Sequence, residues 1–146
     1  VSAKEVGEPA EAICESKLRK YGFILTYGST AGNVKVAGAN EYPVGVALQS
    51  TKKYNGTVTS SVRIPFAKDG KVRVFCKGIP LSIPIGGAIK ADASGCGILL
   101  PKLNFATASL GVAALRSLVG ISDEKLASNV SGYVKVYLKL HSVPQP

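Results

Sequence analysis

At 146 residues the chain is one domain's worth of sequence, and 46% hydrophobic against 18% charged residues excludes a disordered polymer. Sixteen glycines, eight prolines and a formal net charge of +9 describe a turn-rich body whose basic surface attracts polyanions. The longest stretch without formal charge, Tyr21 to Val34, contains three glycines and is shorter than the roughly 18 apolar residues that a membrane helix needs.

The chain opens acidic. Residues 1–15 carry Glu5, Glu8, Glu11 and Glu15 against Lys4, so the remainder is more basic than the chain as a whole, and the segment does not read as a signal peptide. From Pro9 to Lys20 the apolar residues Ala10, Ile13, Cys14 and Leu18 suit a helix and an extended arm alike. Lys17-Leu18-Arg19-Lys20 follows as a basic knot. Glycine and proline then punctuate the chain every 8–14 residues, and the segments between them alternate.

Ile24 to Val36 reads as strand, turn and strand around Gly28–Gly32, and Pro43-Val44-Gly45-Val46 as a further strand. Asn55-Gly56 before Thr57-Val58-Thr59 predicts a hairpin, and so does Asp69-Gly70 between Val62–Phe66 and Lys71–Lys77. In Lys71–Lys77 the even positions are apolar and three of the four odd ones basic, the period of a half-buried strand. Ala88 to Leu100 repeats the strand–turn–strand pattern around Gly95–Gly97. Thr107 to Leu118 spaces Leu110, Ala113, Ala114, Leu115 and Leu118 as one short helix, and Ser122 to Leu126 suits a further helical turn. Tyr133 to Leu140 closes the chain as a strand with an apolar face and a Tyr/Lys face.

The expected fold is therefore mainly β: a small antiparallel β-barrel or sandwich with one or two short helices and an extended N-terminal arm. Residues 1–17 form the arm, 18–141 a single β domain, and 142–146 a tail. The expected core is Ile24, Val34, Val36, Val44, Val46, Val62, Ile64, Val72, Val74, Ile89, Ile98, Val119, Ile121, Val134, Val136 and Leu138. An internal repeat divides the domain into related halves at about 18–78 and 79–140. Val44-Gly45-Val46 is echoed by Val119-Gly120-Ile121, and Gly70–Val74 by Gly132–Val136.

Catalytic chemistry finds little to work with. The single histidine, His141, lies five residues from the end, and the cysteines Cys14, Cys76 and Cys96 lack metal-ligand spacing. Asp69 and Asp92 fall in glycine turns, where aspartate serves the backbone. No phosphate-binding loop or HExxH pattern occurs. The expectation is a protein that is not an enzyme and has no cofactor, no metal site and no membrane partner.

Val-Gly-Val-Ala (44–47), Gly-x-Val-x-Val (70–74), Gly-Gly-Ala-Ile-Lys-Ala-Asp-Ala-Ser-Gly (86–95), Val-Gly-Ile (119–121) and Gly-x-Val-x-Val (132–136), in that order, resemble the capsid decoration proteins of tailed viruses, also called cement or head-stabilising proteins. The resemblance covers roughly residues 20–140, and the basic body and the stretches Asn55–Phe66 and Asn104–Leu118 depart from the family pattern. It implies a homotrimer on the outer surface of an icosahedral capsid in the virion, with the major capsid protein as partner, tying capsid subunits together. In such an assembly Glu5, Glu8, Glu11, Ile13 and Glu15 of the arm, with Lys17, Arg19 and Lys20 of the knot, are the candidate interaction residues, pairing head to tail with a neighbour. On that reading, deleting residues 1–15 leaves the body folded. The alternative is a nucleic-acid-binding β-barrel with Tyr133, Lys135, Tyr137 and Lys139 as stacking and phosphate-contact face. A secreted or surface β-adhesin is a third option.

Overall fold

The computed structural model describes residues 8–39, 41–53, 55–79, 81–100 and 117–140. Among these, ten strands form two closed five-stranded barrels. The first contains β1 (Ala10–Cys14), β2 (Ile24–Tyr27), β3 (Val34–Val36), β4 (Gly45–Ala47) and β5 (Val62–Ala67), in the spatial order β1-β3-β2-β4-β5. The second contains β6 (Lys71–Lys77), β7 (Ala88–Ala91), β8 (Gly97–Leu99), β9 (Leu118–Ser122) and β10 (Ser131–Leu138), in the order β10-β6-β8-β7-β9.

The two pairing schemes are the same. Each barrel closes its first strand antiparallel on its fifth, and each has one parallel contact, between its first and third strands. Register identifies equivalent residues: Cys14 faces Val34 as Cys76 faces Gly97, and Leu25 faces Gly45 as Ile89 faces Gly120. Hydrogen bonds outside the ladders repeat as well. Gly22 N–H donates to Ala47 O and Gly86 N–H to Ser122 O, both at 2.8 Å, while Ala47 N–H donates to Phe23 O at 2.9 Å and Ser122 N–H to Gly87 O at 2.8 Å. The chain is thus two copies of one five-stranded unit, residues 10–67 and 71–138.

Several sequence expectations change here. Ala10–Cys14 is a barrel strand, not part of an arm: Ala12 and Cys14 are buried because alternate β1 residues point into the first barrel. The repeat is therefore one strand out of phase with the expected division, since β1 opens the first unit and β6 the second. The echo of Gly70–Val74 in Gly132–Val136 joins pairing partners, β6 and β10, not repeat equivalents. Asp69-Gly70 closes no hairpin. β5 is committed to β1 and β4, β6 to β10 and β8, and the turn carries the chain from one barrel to the other. Asn55-Gly56 does turn a short hairpin, with Lys53 N–H donating to Thr57 O at 2.8 Å and a bridge between Lys52 and Val58.

No described residue is helical. The helix expected at 107–118 falls, except for its last two residues, outside the described residues. At 122–126 there is no helical turn: Ser122 is buried at the end of β9, its hydroxyl donating to Pro84 O and accepting from Gly87 N–H at 2.9 Å. Asp123 and Glu124, exposed and half-buried, turn to Lys71 and Arg73 on β6.

Two apolar clusters hold the fold. Cys14, Leu18, Leu25, Val34, Ala47, Ile64 and Phe66 fill the first barrel with Ala12. The second cluster fills the other barrel around Val72, Val74, Ile89, Val119, Val134 and Val136, and draws Ile24, Ala37, Val46 and Ala67 from the first. β2 and β4 are therefore covered on both faces, inside by their own barrel and outside by the seam. Of the expected core, Val36, Val44, Val62, Ile98 and Ile121 are only half-buried. Leu18 is fully buried despite its three basic neighbours: its N–H donates to the buried Thr51 hydroxyl at 2.9 Å, anchoring the loop before β2.

Candidate functional site

The acidic and basic residues at the N-terminal side do not form one cluster. Glu5 lies outside the described residues, and Glu8, Lys17 and Arg19 are exposed. Glu11 on β1 pairs with Arg63 on β5 at 3.3 Å, an ion pair in water across one strand gap. Glu15 caps the β2–β3 turn: its carboxylate accepts from Ser29 N–H at 2.8 Å, Thr30 N–H at 3.0 Å and Asn33 Nδ2 at 3.1 Å. Those donors, the Ser29 and Thr30 amides first, hold its pKa down to about 2. In the second barrel the equivalent residue is Lys77, paired at 3.6 Å with Asp92 of the β7–β8 turn. Ile13, on the outer face of β1, is 38% exposed.

Lys20 belongs to a second group of residues that the sequence did not bring together. Its ammonium sits 3.5 Å from the centroid of the Phe75 ring. Phe75 meets Tyr133 edge-on at 5.5 Å, and Tyr133 stacks on Tyr21 at 4.5 Å while its hydroxyl donates to Tyr21 O at 2.9 Å. Burial, with Tyr21 alongside, raises the Tyr133 pKa. The register of β6 with β10 sets Phe75 opposite Tyr133, Arg73 opposite Lys135 and Lys71 opposite Tyr137, so the ribbon's outer face is basic and aromatic. Part of its charge is answered locally, Lys71 by Asp123 at 3.1 Å and Arg73 by Glu124 at 3.7 Å. The Tyr/Lys face is thus divided. Tyr133 is a joint between the barrels, and Tyr137 stands 47% exposed between Lys71 and Lys139, each 5.4 Å from its ring centroid.

A third surface was not anticipated. The β6–β7 loop exposes Ile79, Leu81 and Ile85 at one end of the second barrel, and Val130 lies beside it, its carbonyl accepting from Gly78 N–H at 2.8 Å. The signal was present in Ile79-Pro80-Leu81-Ser82-Ile83-Pro84-Ile85, where apolar residues alternate with no charged residue between them. Of its described residues only Ile83 is buried, paired through backbone bonds in both directions with Leu126.

Among the described residues no group of three or more His, Cys, Asp and Glu is placed to hold a metal ion, and no helix is long and apolar enough to cross a membrane. The three cysteines are free and buried, and burial raises their pKa values, that of Cys76 to about 12. His141 lies outside the described residues. The described surface carries an apolar loop, a basic-aromatic ribbon and an isoleucine on the outer face of β1.

No protein-family model matches the chain, and no curated protein does. Among solved structures the chain is similar to the head fiber gp8.5 N base in bacteriophage phi29, with a TM-score of 0.54 and 14% identity. The alignment covers 92% of this chain and 98% of that one, so the likeness takes in both barrels. At this identity it is a likeness of fold.

Proposed function

We propose that the protein is a non-enzymatic virion structural protein that binds the outside of an icosahedral capsid as a homotrimer and stabilises it by bridging major capsid protein subunits. The observation that carries this reading is the fold likeness over nearly the whole of both chains to a phage head fiber base. The apolar β6–β7 loop supports it, because exposed apolar clusters on small proteins mark interaction surfaces. Candidate residues for contact with a neighbour are those of the N-terminal segment, now split between the outer face of β1 (Glu11, Ile13), a turn cap (Glu15) and the loop before β2 (Lys17, Arg19, Lys20).

The test is co-sedimentation of the full chain with capsids assembled from the major capsid protein of the same genome. Saturable binding and a higher capsid melting temperature are expected; free protein in the supernatant at all concentrations overturns the reading. Nucleic-acid binding is the second reading, favoured by Tyr137 between two lysines. Tight, steeply salt-dependent retardation of single-stranded DNA would replace the first reading with it.

A further inference from the structure

The two barrels dock through unlike surfaces. The first offers the turn before β2, where Gly22 O accepts from Phe75 N–H at 3.0 Å and Tyr21 stacks on Tyr133. The second receives it with Phe75, Tyr133 and the β7–β8 turn, where Gly95 O accepts from Ile24 N–H at 2.8 Å.

Because the chain is a repeat, each surface occurs twice, and no described residue covers the other copy of each. By strand register the equivalent of Tyr21 is Ile85 and that of Gly22 is Gly86. The two glycines share a left-handed backbone, φ +95° and +83°, and the same hydrogen bond to the fourth strand of their own barrel. A Cβ added to Gly22 would stand 3.0 Å from Phe75 N and 3.2 Å from Arg73 O; one added to Gly86 meets no described residue within 4 Å. Ile85 is correspondingly 68% exposed.

The receiving side shows the same contrast. Gly95 and its equivalent Gly32 have φ +81° and +85°. A Cβ on Gly95 would run into Val36 and stand 3.2 Å from Ile24 O, whereas one on Gly32 meets no described residue within 4 Å. Phe75 corresponds to the exposed Ile13, and Tyr133 to Arg63, which faces Ile13 across the β1–β5 pair.

We infer that copies of this chain associate head to tail, the Ile85–Gly86 turn of one copy docking on the Ile13–Arg63–Gly32 face of the next. The contact inside the chain is its template: the same turn geometry meets the same strand pair and the same glycine turn. The patch widens through the exposed Ile79 and Leu81 of the same loop, which add apolar area beside Ile85. Such a contact joins two different patches, so it leads to a ring if its rotation closes and to a filament if it does not. The inference supplies the surfaces for the association of copies in the proposed function and in that respect rests on it.

The test is disulfide trapping in the full chain with Ile85→Cys and Arg63→Cys, the pair equivalent to the stacked Tyr21 and Tyr133. The native thiols are buried and leave the readout to the new pair. Mild oxidation of the double variant is expected to give covalent species beyond the dimer, with neither single variant cross-linking. Absence of cross-links in the double variant, or dimers from Ile85→Cys alone, overturns the inference. In sedimentation, Ile85→Glu is expected to weaken self-association more than about tenfold while the CD spectrum stays unchanged; unchanged association overturns it as well. A ladder that stops at three copies carries both the contact and the trimer. One that stops elsewhere or runs on carries the contact and overturns the trimer. Capsid binding by the Ile85→Glu variant reports separately on the capsid reading.

Discussion

Glu15 shows how one side chain replaces what a glycine turn lacks. The amides of Ser29 and Thr30 point at its carboxylate from across the β1–β3 contact, and a carboxylate accepting several N–H bonds resists protonation. Its pKa in the folded chain, about 2, lies below the ordinary 4.5, so the stabilisation is fully present above pH 4.5 and is lost as the pH falls towards 2. Glu15→Gln is therefore expected to melt at a lower temperature than the parent at pH 7, with the gap closing between pH 4.5 and 2 in a series of thermal melts. Gly120 is decisive in another way. A Cβ there would run into Tyr137 O and stand 2.8 Å from Val136 Cγ1, both on the paired strand β10. Gly45 occupies the equivalent place, with Ala67 O at 2.6 Å. Gly120→Ala is expected to cost about 1–3 kcal/mol in urea unfolding, because backbone and not a side-chain tip must move.

At the scale of elements, the loop from Glu15 to Phe23 joins barrel to barrel, and its anchor is Thr51. The hydroxyl accepts from Leu18 N–H at 2.9 Å and donates to Leu18 O at 3.4 Å, with both residues buried. Thr51→Val keeps the shape and leaves that amide unpaired, an expected loss of about 1–3 kcal/mol together with faster hydrogen exchange at Leu18. β1 changes what a truncation does. Deleting residues 1–8 spares the strand, and an unchanged far-UV CD spectrum is expected. Deleting residues 1–15 removes the strand that closes the first barrel against β5 and exposes Ile64 and Phe66, so loss of the folded signal is expected in place of an intact body.

The whole molecule behaves as one body because its seam belongs to both barrels. Ile24, Val46, Ala37 and Ala67 start in the first unit and finish in the second unit's apolar cluster. Neither barrel then has a complete exterior without the other, and unfolding is expected as a single transition, coincident by far-UV CD and tyrosine fluorescence. Ile24→Ala is expected to remove about 2–5 kcal/mol and shift that transition without splitting it. Two separate transitions would show that the seam is adhesive only.

Alternation within segments is a local property, and the sequence determined it: Lys71–Lys77 and Tyr133–Leu138 pair as the half-buried strands their period of two predicts. The strand–turn–strand pairs at 24–36 and 88–100, and the equivalence of Gly45 with Gly120, were legible for the same reason, since turn chemistry and close backbone approach demand particular residues. Tertiary structure decided what depends on distant partners. Asp69-Gly70 has the chemistry of a hairpin turn, yet β5 and β6 each gain more by closing their own barrel, and no local signal weighs those closures. The phase of the repeat follows from closure too, because five strands form a barrel only when the first meets the fifth. Of the candidate residues, Ile13 keeps an exposed place on the outer face of β1, but Glu15 and Lys20 take partners within the chain at its surface, the amides of a turn 14 residues away and a ring 55 residues away. Charge pattern determines that such side chains stay near water; which partner they meet there is set by how the two barrels pack.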